Sequence, residues 1–312
     1  RILVVGAGAI GGYFGGRLLA AGRDVTFLVR ARRSAQLAKT GLVIRSGLGD
    51  VSLPAPPTVM AETLREPFDL ILLSCKAYDL ASAIDSFAPA VGPNTAILPL
   101  LNGMAHMDVL AARFGAGAVL GGQCVISTTL DAEGRILHLN DTHGLSFGEP
   151  DGSVSARAAA IAATLSDASF DSRLSAAILQ EMWEKWVLIT TMAGITCLMR
   201  APVGDIVAAN AGDIAVALLN ECAAIAAASG FAPREPTLVR SRTMLTTPGS
   251  TFAASMLRDI ERGAPIEADH IVGDLLQRGQ QKACDTPLLR IAYANLKAYE
   301  SRRTREKAAP KL

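Results

Sequence analysis

The chain has 312 residues, of which 30 are basic and 29 acidic, giving a formal net charge of +1, and 50% are apolar. A balance so close to neutral excludes nucleic acid or an anionic membrane surface as an obligatory partner, while the apolar half supplies a core for one large domain or two ordinary ones. No apolar stretch runs to the roughly 20 uninterrupted residues that a membrane span needs. Five cysteines, Cys75, Cys124, Cys197, Cys222 and Cys284, are scattered without a CxxC pair or a secretory leader, the pattern of reduced thiols in a cytoplasmic protein rather than of zinc ligands or disulfides.

The first element is a strand over Ile2 to Val5, followed by a turn and a helical stretch from Ile10 to Ala21. Between them Gly6, Gly8 and Gly11 form G-x-G-x-x-G, with Ala9 and Ile10 inside the motif. In that setting the glycines serve a tight turn, a close backbone approach to a pyrophosphate and close helix packing, and the first N–H groups of the helix face the phosphates. The second strand, Val25 to Val29, ends at Arg30, with Arg32 and Arg33 close behind. An NAD site usually carries Asp or Glu there for the ribose 2′-OH, whereas a guanidinium suits a 2′-phosphate, so the expected cofactor is NADPH/NADP+.

The runs LVIRS, FDLILLS, TAILPL and AVLGGQCVIST follow, alternating with helical stretches as the βαβ units of a parallel sheet do. RILHL and HGLSFG, separated by turn residues, read as two antiparallel ribbon or edge strands. Lys76 and Asn102 stand just past the strands FDLILLS and TAILPL, at the carboxyl ends where open α/β sheets place ligands. Past about residue 173 the strand signals disappear, and long Ala/Leu-rich stretches of helical period take over. Pro202 and Pro236 mark helix starts there, Gly230 a stop and TTPGS a loop. The expected fold is an α/β Rossmann-type N-terminal domain over 1–173, mostly parallel sheet with some antiparallel strands, plus an all-α C-terminal domain over 174–312, with a cleft between them. Arg302 to Lys307 reads as a solvated basic tail.

GAGAIGGYFGGRL, SCKAYD, LNGM, EMWEKW and SMLRDIERGAPIEADHIVG occur in this order, and in that arrangement the chain resembles, over nearly its whole length, the ketopantoate reductase family of NADPH-dependent enzymes that reduce 2-dehydropantoate to pantoate. The resemblance implies Lys185 as the catalytic lysine, which gives a proton to the carbonyl oxygen as hydride reaches the carbonyl carbon. An ammonium placed where negative charge develops also stabilises the transition state. It further implies Glu267 as the group that accepts a substrate hydroxyl and helps hold the lysine, and Ser255 as a ligand of the substrate carboxylate. Asn102 would stand at the nicotinamide end of the site, against substrate and cofactor, and Lys76 would border the cofactor. Asp259 and Asp269 read as capping residues or partners of nearby arginines.

One departure concerns the substrate. Family members acting on ketopantoate carry asparagines four and eight residues after the lysine and a third shortly after the next proline; here those positions are Ile189, Ala193 and Val203. Loss of buried hydrogen-bonding partners can shift substrate choice by roughly 10⁴-fold, which points to a more apolar 2-oxo acid, with Thr190, Thr191 and Thr196 as candidates to compensate. Of four histidines, His106, His138, His143 and His270, only the last has metal-compatible spacing, to Glu267 at i, i+3, and no metal is expected. The chain thus reads as an NADPH-dependent reductase of a 2-oxo acid, 2-dehydropantoate first. The alternatives are a paralogue or opine-type dehydrogenase for another 2-oxo acid, or a catalytically silent NADPH sensor. NADPH oxidation across a panel of 2-oxo acids separates the three. A homodimer is the assembly that an exposed apolar patch on the helical domain would favour.

Overall fold

The computed structural model describes residues 1–308, so the last four positions of the expected helical domain lie outside the described residues. In chain order the elements are β1 (Ile2–Val5), α1 (Ala9–Ala20), β2 (Val25–Leu28), α2 (Ala31–Thr40), β3 (Leu42–Arg45), β4 (Val51–Leu53), β5 (Thr58–Val59), β6 (Leu70–Leu73), α3 (Leu80–Phe87), β7 (Ala96–Pro99), α4 (Ala105–Phe114), β8 (Gly121–Leu130), β9 (Ile136–Gly148), α5 (Ala156–Leu165) and β10 (Asp171–Leu174). Helices follow: α6 (Ile178–Met199), α7 (Val203–Ala208), α8 (Gly212–Ala228), α9 (Glu235–Thr246), α10 (Ser255–Glu261), a π turn (Asp269–Gly273) running into α11 (Asp274–Gln281), and α12 (Pro287–Ala308). Contacts gather the chain into two compact units, residues 1–101 with 106–179 and residues 102–105 with 180–312.

In the first unit β5-β2-β1-β6-β7 form an all-parallel sheet, the Rossmann arrangement expected from the sequence. Side chains alternate between its faces, and both faces are buried, which is why these strands are unbroken aliphatic runs. Ile2, Val4, Leu70, Leu72 and Leu98 enter one core with Tyr13 and Phe14 of α1. Leu3, Val5, Ile71, Leu73 and Ile97 enter the other with Ile84 and Phe87 of α3.

A second sheet, β10-β9-β3-β4 with β8 paired to β9, departs from the expectation in two ways. The runs LVIRS and AVLGGQCVIST are not strands of the parallel nucleotide sheet: as β3 the first pairs antiparallel with β4 and parallel with β9, and as β8 the second pairs antiparallel with β9. RILHL and HGLSFG are not two strands but one, β9, antiparallel to β8 and parallel to β10. The turn residues between them form a bulge: pairing jumps from Ile126↔His143 to Thr128↔His138, and the Asn140 side-chain carbonyl caps the Ser127 N–H at 2.8 Å. Helix α1 meets both sheets, and its later glycines make that approach feasible. A Cβ on Gly15 would stand 2.7 Å from Phe27 of the first sheet, and one on Gly16 would stand 2.8 Å from Leu42 of the second. The last two of the six opening glycines therefore serve packing.

Among the described residues, the regular elements of the second unit are all helices. Helix α6 is apolar nearly all round, as expected of a central helix. From Met182 to Cys197 only Lys185, Leu188 and Ile189 are not fully buried. Pro202 caps α7, Pro236 opens α9, and the backbone turns at Gly230, as the sequence signals indicate. The basic residues 302–307 are largely exposed, as expected of a solvated stretch, and are helical, forming the end of α12.

Candidate active site

The nucleotide end of the site is built in the first unit. Gly6 sits at φ +93°, a conformation that L side chains rarely adopt, and turns the chain off β1. Ser74, at the end of β6, donates its hydroxyl to the Val5 carbonyl at 2.9 Å and contacts the Gly6 carbonyl at 3.2 Å, fastening the turn to the sheet. Gly11 lies so close beneath this fastening that a Cβ there would be 2.1 Å from Ser74 Oγ and 2.2 Å from the Gly6 oxygen. Gly8 caps α1, and a Cβ built on it meets nothing within 4 Å. The first intrahelical bond of this end runs from the Gly12 N–H to the Gly8 carbonyl at 2.8 Å, so the N–H groups of Ala9, Ile10 and Gly11 point out of the helix end. An open approach at Gly8 in front of outward N–H groups fits a dinucleotide pyrophosphate.

Arg30 caps α2 at the end of β2 and is largely exposed. Its Nη2 donates to Asp79 Oδ1 at 3.0 Å and to Ser82 Oγ at 3.1 Å. Asp79 is also joined to Lys76, its N–H donating to the Lys76 carbonyl at 2.9 Å, so the two predicted cofactor-side cations border one short segment. Arg33, placed beside Arg30 by sequence, has a different job. Its guanidinium turns inward, donating from Nε to the Ala7 carbonyl at 2.9 Å and from Nη1 to the Gly134 carbonyl at 3.0 Å, and thereby ties the glycine loop to the β8–β9 turn.

The remaining predicted residues belong to the second unit. Lys185 occupies the partly open stripe of α6, with Leu188 and Ile189 at i+3 and i+4 on the same face. Its neighbour Glu184 faces away. Burial alone would push that carboxyl up, but Arg234, bonded through its backbone N–H at 2.8 Å and Nε at 2.7 Å, together with Gln180, outweighs burial and holds it below the usual carboxylate range. Glu267 is half-buried in the segment that leads into the π turn, and its carbonyl accepts the Ile271 N–H at 3.0 Å. The Ile271 carbonyl accepts two donors from α6, Trp186 Nε1 at 2.8 Å and Thr190 Oγ1 at 3.1 Å.

His270, on the same turn, packs on the Asn102–Gly103 bend. Gly103 has φ +81°, and a Cβ there would come within 2.9 Å of the His270 carbonyl oxygen. Burial lowers the His270 pKa despite nearby Glu267 and Asp274 and a hydrogen bond with the Asn102 backbone. The turn thus carries Glu267, meets the Asn102 backbone through His270 and is tied to α6 through Trp186, the residue after Lys185, whereas Ser255 is anchored separately. Ser255 begins α10, and the preceding Ala254 N–H reaches Thr196 Oγ1 at 3.4 Å, three turns or about 16 Å along α6 from Lys185.

Two sequence expectations need correction here. Thr190, Thr191 and Thr196 do not replace the missing asparagines: all three are fully buried and donate to the carbonyls of Ile271, Val187 and Met192. Asp269 pairs with Tyr293 Oη at 2.6 Å and Lys297 Nζ at 2.9 Å, not with an arginine. Sequence reasoning missed the π turn and its two donors. The available signal was the pair Trp186 and Thr190 at i, i+4 on a helix otherwise apolar, since a buried indole N–H needs an acceptor. Among the described residues no three His, Cys, Asp or Glu side chains gather as a metal site, and burial pushes the Cys197 and Cys222 thiols up to about 12.

Residues 2–152 match the ketopantoate reductase PanE/ApbA family and residues 177–300 match its C-terminal region. An uncharacterized oxidoreductase of Bacillus subtilis, YkpB, is 39% identical over 304 residues, covering 96% of this chain and 99% of the relative. A 2-dehydropantoate 2-reductase of Mesorhizobium japonicum is 27% identical over 310 residues, covering 93% of this chain and 94% of its own. The crystal structure of 2-dehydropantoate 2-reductase from Methylococcus capsulatus superposes with a TM-score of 0.86 at 29% identity, covering 97% of each chain.

Proposed function

The chain belongs to the ketopantoate reductase family of NADP-dependent oxidoreductases acting on CH–OH, and on that premise we propose that it reduces 2-dehydropantoate to (R)-pantoate or, on the same machinery, a 2-oxo acid with a more apolar side chain. The glycine loop residues Gly6, Gly8, Ala9, Ile10 and Gly11 hold the NADPH pyrophosphate, Arg30 the 2′-phosphate, and Lys76 flanks the cofactor. NADPH supplies the hydride that becomes the new C–H bond. Lys185 Nζ donates the proton that completes the alcohol and meets the negative charge growing on the carbonyl oxygen. Glu267 accepts the substrate hydroxyl, Asn102 orients the carbonyl end and Ser255 binds the carboxylate. Two compact units that part after residue 179, with residues 102–105 grouped in the second, support a division into two domains near residue 173.

The observation that carries this reading is the stripe on α6, where one lysine is left partly open in an otherwise buried stretch. The same stripe supports the second substrate reading, because Leu188 and Ile189 beside the lysine carry no hydrogen-bonding group. NADPH oxidation rates with 2-dehydropantoate, 2-oxo-3-methylbutanoate and phenylglyoxylate test both. Fastest turnover of 2-dehydropantoate selects the first reading and fastest turnover of either other acid the second, while no turnover of any refutes the reductase assignment. No helix of the described residues is long and apolar enough to cross a membrane. A cytoplasmic location and a homodimer are part of the same proposal.

A further inference from the structure

We propose that Trp186 and Thr190 are positioning residues of this site, holding Lys185 and Glu267 in register through the Ile271 carbonyl; the inference rests on the reading of those two as the reacting pair. At the π turn the Asp274 N–H reaches back five residues to the Asp269 carbonyl. The widened turn presents the Ile271 carbonyl to α6, where it accepts from Trp186 Nε1 at 2.8 Å and Thr190 Oγ1 at 3.1 Å, one donor for each lone pair. The Ile271 N–H in turn donates to the Glu267 carbonyl at 3.0 Å. Trp186 follows Lys185 directly in the chain. Between the lysine's backbone and the glutamate's backbone there stand one indole, one residue and two hydrogen bonds.

Any buried tryptophan needs an acceptor for its N–H. What separates this one from an ordinary core tryptophan is the acceptor, a carbonyl of the residue that itself grips Glu267. Both donors are fully buried, so no water competes for the carbonyl or replaces a lost donor. π turns inside helices recur at functional sites because they re-aim what the helix carries. Reacting groups displaced by about 1 Å lose on the order of 10²-fold in rate, and this relay fixes two of them along one path.

The test compares Trp186→Phe/Thr190→Val, Thr190→Val, Thr190→Ser and Lys185→Ala with the unmodified enzyme. Each is assayed by NADPH oxidation with whichever of 2-dehydropantoate, 2-oxo-3-methylbutanoate and phenylglyoxylate it reduces fastest. The double variant is expected to lose at least tenfold in kcat with KM for NADPH within twofold, and Thr190→Ser, which keeps the donor, to stay within twofold of the unmodified kcat. A double variant that melts cooperatively with kcat within twofold overturns the proposal. So does a Thr190→Ser variant as impaired as Thr190→Val. If the double variant does not fold, the Thr190→Val and Thr190→Ser pair decides by the same comparison. Loss of turnover in Lys185→Ala beside an unimpaired double variant refutes the positioning role alone, whereas full turnover in Lys185→Ala refutes the reading of the lysine and this proposal with it.

Discussion

The glycine loop of the first unit and the π turn of the second are both irregular stretches of backbone beside a helix, yet they direct their polar groups to opposite ends. At the loop, the N–H groups of Ala9, Ile10 and Gly11 point outward beside a Gly8 with nothing within 4 Å of a built Cβ. At the turn, the Ile271 carbonyl is taken up by Trp186 and Thr190 of the same unit. On the proposed reading, one irregularity offers its groups to a ligand and the other uses them to hold the reacting pair in place. A loop that must let a ligand approach needs glycine, which leaves a pattern in the sequence. A turn that binds its own neighbours needs only a suitable donor at the right distance in space.

The largest expected effect strikes the second region. Lys185→Ala removes the proposed proton donor and its positive charge, for an expected loss of about 10²–10⁴-fold in kcat. NADPH affinity, measured by fluorescence titration, should hold, since the glycine loop lies in the other unit. Unchanged turnover would refute the mechanism.

Two glycine substitutions then divide the first region. Gly11→Ala forces a methyl into Ser74 Oγ and the Gly6 carbonyl, both nearer than 2.3 Å to the built Cβ. Overpacking of that kind costs about 1–3 kcal/mol, so a lower Tm and loss of NADPH binding are expected together. Gly8→Ala meets nothing within 4 Å in the chain itself. It should leave Tm unchanged and still weaken NADPH, because the methyl stands where the pyrophosphate approaches. Equal Tm losses in the two variants would remove the distinction between a packing glycine and a binding one.

Arg30→Asp is the next step down. A charge-assisted contact to the 2′-phosphate is worth about 1.5–3 kcal/mol, so NADPH should weaken by about 10- to 100-fold more than NADH. Equal weakening of both nucleotides would assign Arg30 to its pair with Asp79 and nothing more.

These variants also mark how far the sequence could be read. The parallel sheet was legible because strands buried on both faces leave continuous aliphatic runs, and the turn into α1 because Gly6, Gly8 and Gly11 follow one of them. The second sheet was misread at β3 and β8, whose runs look like further strands of the parallel sheet, and at β9, where the bulge over the turn residues depends on pairing with β8 that no local pattern records. The threonines after Lys185 were misjudged for a similar reason. A hydroxyl in a buried helix can serve a ligand or a carbonyl, and only the fold shows that Thr191 and Thr196 donate four residues back while Thr190 donates to Ile271.

The smallest expected effect treats the two regions alike, through one half-buried histidine in each. In the first unit the Tyr13 hydroxyl meets His143 Nδ1 at 2.8 Å, and His138 Nε2 lies 3.0 Å from the Thr142 carbonyl, which can only accept, so that nitrogen carries the proton. Burial, the Arg17 guanidinium and His138 lower the His143 pKa below 6.5, against an opposing pull from Asp171. In the second unit burial lowers that of His270 despite Glu267, Asp274 and the Asn102 backbone. In both cases the unfolded chain binds the proton more readily than the folded one. Above pH 6.5 both states are neutral and nothing changes. As pH falls below 6.5 the unfolded state is favoured, and the loss is complete once pH passes the lowered folded values. Carboxylates held below their usual range, such as Glu149 and Glu184, lose their contribution only at lower pH. Tm should therefore decline between pH 6.5 and about 5 chiefly through the histidines. His143→Gln and His270→Gln should each make that decline shallower, and together do so additively, as expected of sites in separate units. A slope unchanged in both variants would show that neither imidazole titrates on unfolding in this window.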